Sequence, residues 1–317
     1  MARPKRDDID RIRTIYWFEG IRLVARVPTA YALERRVEPK GFGRNKDGTL
    51  FHRNKWVSYQ HGRHTPSEPL VLKMEYLVTG SRNELDHVLW KVLRPDANVT
   101  KHAVSLLRQL KPELQLLIFA EGDQFCSHSG APCISELERR ASIDALACLT
   151  ILTIKCYEAG SHEHAWAFAL STFRVLLMIG YRLKQRGLAE TLFNIYVERI
   201  FNKIRWNGNQ FYFDGYDFPL WTGILNLSAR ITAQHAKKRS ISWREECFQM
   251  WKFLTGDPGL YVKFAFDPII GPDKDLGPWS EKMQQDVEQK IRFQVWGRIN
   301  VLSEDKDKSY FPPPEIW

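Results

Sequence analysis

Apolar positions recur at helical intervals along most of this chain. Between residues 9 and 27, Ile12, Ile15, Tyr16, Ile21 and Val24 alternate with arginines. That is the spacing of an amphipathic helix, and Asp7, Asp8 and Asp10 suit its positive N-terminal end. Pro28 ends or kinks it, and a short helix is expected from Thr29 to Val37. Residues 38–49 hold Pro39, Gly41, Gly43 and Gly48 and are expected to form a loop. Helices are then predicted over 51–62 and 67–79. A third, starting at Ser81 with Glu84 at capping-box spacing, runs toward Leu93, and Pro95 closes this first region.

The remainder keeps the same period. Val99 to Phe119 is helical with an interruption at Pro112, and Gly122 to Pro132 is a loop. Ile134–Tyr157 and Glu163–Gln185 are long apolar helices joined at Ala159-Gly160-Ser161, the pattern of a helical hairpin. Leu188 to Ile204 continues it, and further helices start near Leu220, Trp243 and Ser280. Asn207-Gly208 and Asp214-Gly215 bracket Phe211-Tyr212-Phe213, so a short β-hairpin is expected near 205–218. Residues 255–279 are rich in Gly, Pro and Asp and predict an ordered loop region, and the tail through Pro312-Pro313-Pro314 is expected to be extended. The fold class is therefore all-α, with a small helical head over 1–95 and a larger helical body over 96–317.

Composition changes this picture in one respect. A hydrophobic share of 44% and a charged share of 26% are ordinary for a globular protein. The net charge of +9 is unevenly placed: residues 1–60 hold 14 Lys/Arg against 7 Asp/Glu, a net of +7. A basic end on a near-neutral body points to a polyanion partner for that end. The nearest approach to a membrane span, Ala165 to Tyr181, contains Ser171, Thr172 and Arg174 and suits a buried core helix, so no membrane partner is expected. The N-terminus is basic with no apolar segment after it, which is not a secretory signal, and the expected location is cytoplasmic. Five irregularly spaced cysteines predict reduced thiols rather than a disulfide framework.

The stretch 51–77 is the most specific in the chain. Trp56 and Tyr59 share a helical face, Gly62 suits a helix end, Pro66-Ser67 suits the next helix start, and Leu70, Met74 and Leu77 form a stripe. This segment resembles the Xre/Cro-repressor helix-turn-helix family, in which apolar residues stand six and three before a glycine and a proline follows four after it. The resemblance implies that the helix ending at Gly62 enters a DNA major groove. Asn54, Lys55, Ser58 and Gln60 would then read base edges, with Arg53, Arg63 and His64 nearer the phosphates. The family's preceding helix has no counterpart in Gly43–Leu50, so the positioning helix would come from residues 9–37.

Other chemistry is sparser. Arg82 and His87, with Asn83 between them, resemble the Arg-x4-His pattern of HEPN ribonucleases, which implies a nuclease alternative on one helix. Cys126, His128 and Cys133 offer three zinc donors without a common spacing. The aromatics from Trp206 to Trp221 suit core packing better than base stacking. No nucleotide loop, nucleophile elbow or metalloprotease helix is found, so no cofactor is expected and a catalytic role is disfavoured. The sequence thus points to DNA binding through the basic head, with the body forming a homodimer or holding a protein partner. A ribonuclease using Arg82 and His87 and a non-catalytic scaffold subunit are the alternatives.

Overall fold

The computed structural model describes residues 7–44, 46–52, 54–120, 131–237, 240–257, 259–303 and 310–316. The described residues are all-α apart from two small antiparallel sheets. The chain divides into two compact units: residues 1–94 together with Gln185–Leu188, and Pro95–Lys184 together with Ala189–Trp317.

The first unit is built from α1 (Asp8–Val24), α2 (Ala30–Val37), a hairpin of β1 (Phe42–Arg44) and β2 (Leu50–His52), α3 (Lys55–Gln60), α4 (Glu68–Leu77), α5 (Ser81–Leu85) and α6 (Val88–Val92). Asp7 caps α1 by accepting from the Ile9 amide, and Thr29 caps α2 by accepting from Ala32, so both helices start at side chains that satisfy free N–H groups. Their apolar faces meet those of α3 and α4 in one core of Trp17, Phe18, Ile21, Leu33, Trp56, Tyr59, Leu70 and Met74. Leu77, the expected third member of the α4 stripe, is instead exposed, and Val71 takes the buried place. The loop expected over 38–49 is in part the β-hairpin, with Gly43 opposite Phe51.

The Gln185–Leu188 segment holds to this unit through Arg186. Its guanidinium pairs with Glu84 at 2.7 Å, donates to the Tyr16 carbonyl at 2.8 Å and lies 3.8 Å over the Tyr16 ring. Gly20 leaves the space for this cluster, because a Cβ there would sit 2.0 Å from a Glu84 carboxylate oxygen.

Glu75 on α4 caps α5 from outside. Its carboxylate accepts from the amides of Arg82 and Gly80, both at 2.7 Å, and from the Ser81 hydroxyl. These bonds, led by the Arg82 and Gly80 amides, hold its pKa below the usual carboxylate range. A depressed folded pKa gives stability that is present above the unfolded value of about 4.3 and is lost as pH falls through the folded one. Wild type is therefore expected to exceed Glu75→Gln in stability at neutral pH, with the gap closing at acid pH. Urea titrations at pH values above and below the carboxylate range measure it, and a pH-independent gap would refute the charged cap.

The second unit contains α7 (Val99–Leu107), α8 (Pro112–Ile118), α9 (Ala131–Arg139), α10 (Ile143–Glu158), α11 (His162–Gln185), α12 (Ala189–Arg199), β3 (Asn209–Tyr212), α13 (Phe218–Lys237), α14 (Trp243–Leu254), α15 (Leu260–Phe266), β4 (Ile269–Pro272) and α16 (Glu281–Leu302). Gly160, at φ +76°, turns α10 into α11 as the hairpin pattern predicts. The helix expected over 134–157 breaks at Ser142, whose side chain caps α10 by accepting from Ala145. α11 is long and apolar enough to cross a membrane, but 72% of its most apolar window is buried inside the fold, which makes it a core helix. Gly180 lets it approach α13 closely, since a Cβ there would meet the Thr222 hydroxyl at 2.3 Å. α15 and α16 touch in the same way at Gly297.

Asn207-Gly208 forms the expected tight turn, closing Trp206 against Asn209. The strand leaving it takes its longer partner from far along the chain: Asn209 faces Pro272 and Tyr212 faces Ile269. Part of the loop-like 255–279 segment is therefore sheet. The aromatics of this region pack as core, with Phe211, Phe218 and Trp221 buried and Phe213 and Tyr216 set against Phe173 and Phe193.

Candidate nucleic-acid interface

Charge separates the two units completely. The first holds 20 Lys/Arg against 11 Asp/Glu and so carries the whole net +9, while the second holds 26 of each. The candidate interface is sought on the first unit for that reason.

The helix-turn-helix reading placed it on α3, and the geometry there is different. α3 is six residues long, about 9 Å at 1.5 Å per residue, and it begins at Asn54 in a left-handed conformation (φ 53°). Residues 51 and 52, expected in its first turn, pair as part of a strand instead. Trp56 and Tyr59 are fully buried against α1 and α2. The Trp56 ring stacks on Trp17 at 6.1 Å, and its indole N–H donates to Glu38 at 2.7 Å. Burial pushes the Tyr59 phenol up to about 12, and the Glu38 and Glu34 carboxylates add to it.

Lys55, the expected central base reader, is held by Glu38 at 3.2 Å, and its backbone amide donates to Glu34. Ser58 and Gln60 are half-buried, Asn54, Arg63 and His64 are exposed, and Arg53 lies outside the described residues. Gly62 does end the helix with φ +62°, and it has a second reason to be glycine. A Cβ would lie 2.6 Å from the Arg11 carbonyl oxygen, so the turn is shaped by its contact with α1. The motif's spacing thus builds a packed helix pair, in which α3 is short, Lys55 is held by Glu38, and Asn54, Arg63 and His64 remain exposed.

The hairpin offers a better-formed face. Phe42 and the His52 ring stack at 5.5 Å, within 6° of parallel, and Tyr31 from α2 stands edge-on to both at 5.3 Å. Tyr31 is 46% exposed and Phe42 and His52 are half-buried, so part of this cluster meets solvent. Arg35 lies one turn after Tyr31 on α2 and is exposed, as are Lys40 before β1 and Lys46 at the hairpin tip. Among the described residues these three form no ion pair, and neither do the exposed Arg11, Arg26 and Arg63. The tip is set by Asp47, which accepts from the Thr49 hydroxyl and amide, and by Gly48 at φ +84°. The Thr49 hydroxyl first, then its amide, hold the Asp47 carboxyl below its usual range. The sequence signal for this face was the Lys46-Asp47-Gly48 turn between aromatic flanks, which glycine content alone disguises as loop.

The alternative catalytic pair does not assemble. The helix expected through residues 81–93 breaks between Leu85 and Val88, so Arg82 and His87 do not share one helix. Arg82 is exposed and pairs with Glu68 and Asp86, whereas His87 is 4% exposed and caps α6 by accepting from the Leu89 amide at its Nδ1. Of the zinc candidates, Cys126 and His128 lie outside the described residues, and the Cys133 thiol donates to the Leu117 carbonyl. Among the described residues no three His, Cys, Asp or Glu side chains gather as a metal site. Burial pushes the Cys247 thiol up to about 12 and the Cys148 thiol in the same direction, which leaves both poor nucleophiles.

The chain matches no protein-family model, no curated protein and no solved structure.

Proposed function

We propose that the basic unit binds nucleic acid through the hairpin face. Tyr31, Phe42 and His52 would stack against unpaired bases, and Arg35, Lys40 and Lys46 would hold phosphates. The observation that carries this reading is the coincidence of a partly exposed aromatic cluster with the unit that holds the whole net charge. Bases offer a flat face to such a cluster whatever their identity, whereas a duplex hides those faces. The expected ligand is therefore a single-stranded stretch, in place of the duplex DNA that the helix-turn-helix resemblance implied.

Fluorescence anisotropy with a labelled single-stranded oligonucleotide and its duplex tests this across salt concentration. Single-strand binding should be tighter and should fall with a log–log salt slope of about −2 for three phosphate contacts. Tyr31→Ala should weaken it by about 1–3 kcal/mol, the worth of one stacked base, without loss of helical signal. Arg35→Glu should reduce the salt slope. Affinity that is absent at low salt, or unaffected by both substitutions, would remove the reading.

A further inference from the structure

The second unit exposes an apolar face that its own core does not cover. On α13, Leu220, Leu227 and Ile231 are 47%, 59% and 45% exposed, and half-buried Ile224 lies between them. Their offsets of 4, 7 and 11 residues place them on one side of the helix. On α16, Ile291, Val295, Ile299 and Leu302 repeat the arrangement at 42–64% exposure.

The two stripes flank one seam. The Arg298 guanidinium of α16 lies 4.6 Å over the Trp221 ring of α13, and further along Ser228 and Thr232 of α13 and Val301 of α16 line a cleft whose other walls are α14 and α15. Leu220, Leu227 and Ile231 each precede one of those α13 seam residues in sequence. Ile299 and Leu302 each follow one of the α16 seam residues. The opposite sides of the helices, Leu225 and Ala229 on α13 and Phe293 and Gly297 on α16, are buried. Around each helix the order is therefore core, seam, exposed stripe, so both stripes lie on the outer side of the contact between Arg298 and Trp221.

We propose that this surface is a homodimer interface, with a second copy of the chain as its occupant. The exposed side chains present on the order of 600 Å² of apolar area. That is at the upper end for one patch on a monomer and most of the roughly 800 Å² per partner in a standard interface. The stripe spacing is that of interlocking helices, and a two-fold axis sets each stripe against its own equivalent. The unit holds 26 cationic and 26 anionic residues, so two copies of this unit bring no net charge to the contact, and a strongly charged partner gains nothing from it.

Light scattering after size exclusion, on the full chain over a wide micromolar range, tests this. The expected mass is twice 37.1 kDa. Leu227→Asp and Ile299→Asp should each shift the protein to the monomer mass, whereas Leu116→Asp, at a residue 80% exposed on α8, should leave the dimer intact. A wild-type monomer, or a dimer unmoved by both stripe substitutions, overturns the proposal, including the case in which another protein covers the face. Should either variant lose helical signal, hydrogen exchange in wild-type α13 and α16 decides. Protection that rises with protein concentration supports the interface, and concentration-independent protection overturns it. Neither result bears on nucleic-acid binding by the other unit.

Discussion

Trp56→Ala is expected to remove about 3–5 kcal/mol from the stability of the basic unit. The indole is fully buried, stacks on Trp17, and stands edge-on to Tyr59 at 5.9 Å. Truncation leaves a cavity at the meeting point of α1, α2 and α3, where Trp17, Phe18 and Leu33 cannot close around it without moving their helices. It also strips Glu38 of the indole N–H and leaves that carboxylate to Lys55 alone. Trp56→Phe separates the two losses: the ring volume is mostly kept, and a cost of about 1–2 kcal/mol is expected from the missing hydrogen bond and the smaller ring. Urea unfolding read by near-ultraviolet circular dichroism measures both. Changes at Ser58 and Gln60 separate the roles of α3, because a helix laid in a groove would lose DNA binding on them whereas a helix that only packs tolerates them. A loss for Trp56→Ala below about 1 kcal/mol would contradict the packed arrangement.

The same stretch shows how far the sequence could be read. Apolar spacing identified Trp56 and Tyr59 as partners on one face, Gly62 as a helix end and Ser67 as the next start, and all four hold those places. Spacing says which side chains point inward but not how long a helix runs. α3 stops short at its N-terminal side because residues 50–52 pair with Phe42–Arg44, and three-residue strands are too brief for a two-residue period to register. Helix starts were legible at Asp7, Thr29 and Ser280, each accepting from an amide of the helix it opens, whereas Ser81, the expected cap with Glu84, lies inside α5 behind Gly80. Pairing between β3 and β4 was beyond reach, because strands separated by the whole of α13, α14 and α15 leave no local turn signal. The Tyr31, Phe42 and His52 face was hidden for a related reason: a helix and two strands bring it together, and no single window of sequence contains it.

Glu138→Ala carries the other large expected effect, a loss of about 3–5 kcal/mol from the second unit. Glu138 is 2% exposed, and its two carboxylate oxygens take different partners. One accepts from Arg174 on α11 at 3.4 Å, and the other accepts from the Trp251 indole on α14 at 3.0 Å. Arg174 in turn reaches Asp267 at 4.0 Å, and Asp267 pairs with Lys263 of α15. One carboxylate from α9 thus joins three other helices, α14 through the Trp251 indole and α11 and α15 through an alternating chain of charge that emerges at Lys263. Alanine would leave the Arg174 guanidinium, 15% exposed, with only the long contact to Asp267, and would leave the indole N–H without its acceptor. The cost comes from the stranded cation more than from the value of the pair, since desolvation offsets much of the attraction in a buried ion pair. Glu138→Met combined with Arg174→Met should therefore cost less than Glu138→Ala alone, because the double replacement removes the stranded charge and refills the space. Thermal and urea unfolding of the three variants give the comparison. A double variant at least as unstable as Glu138→Ala would show instead that the ion pair itself, rather than the avoidance of an unpaired buried charge, holds these helices together.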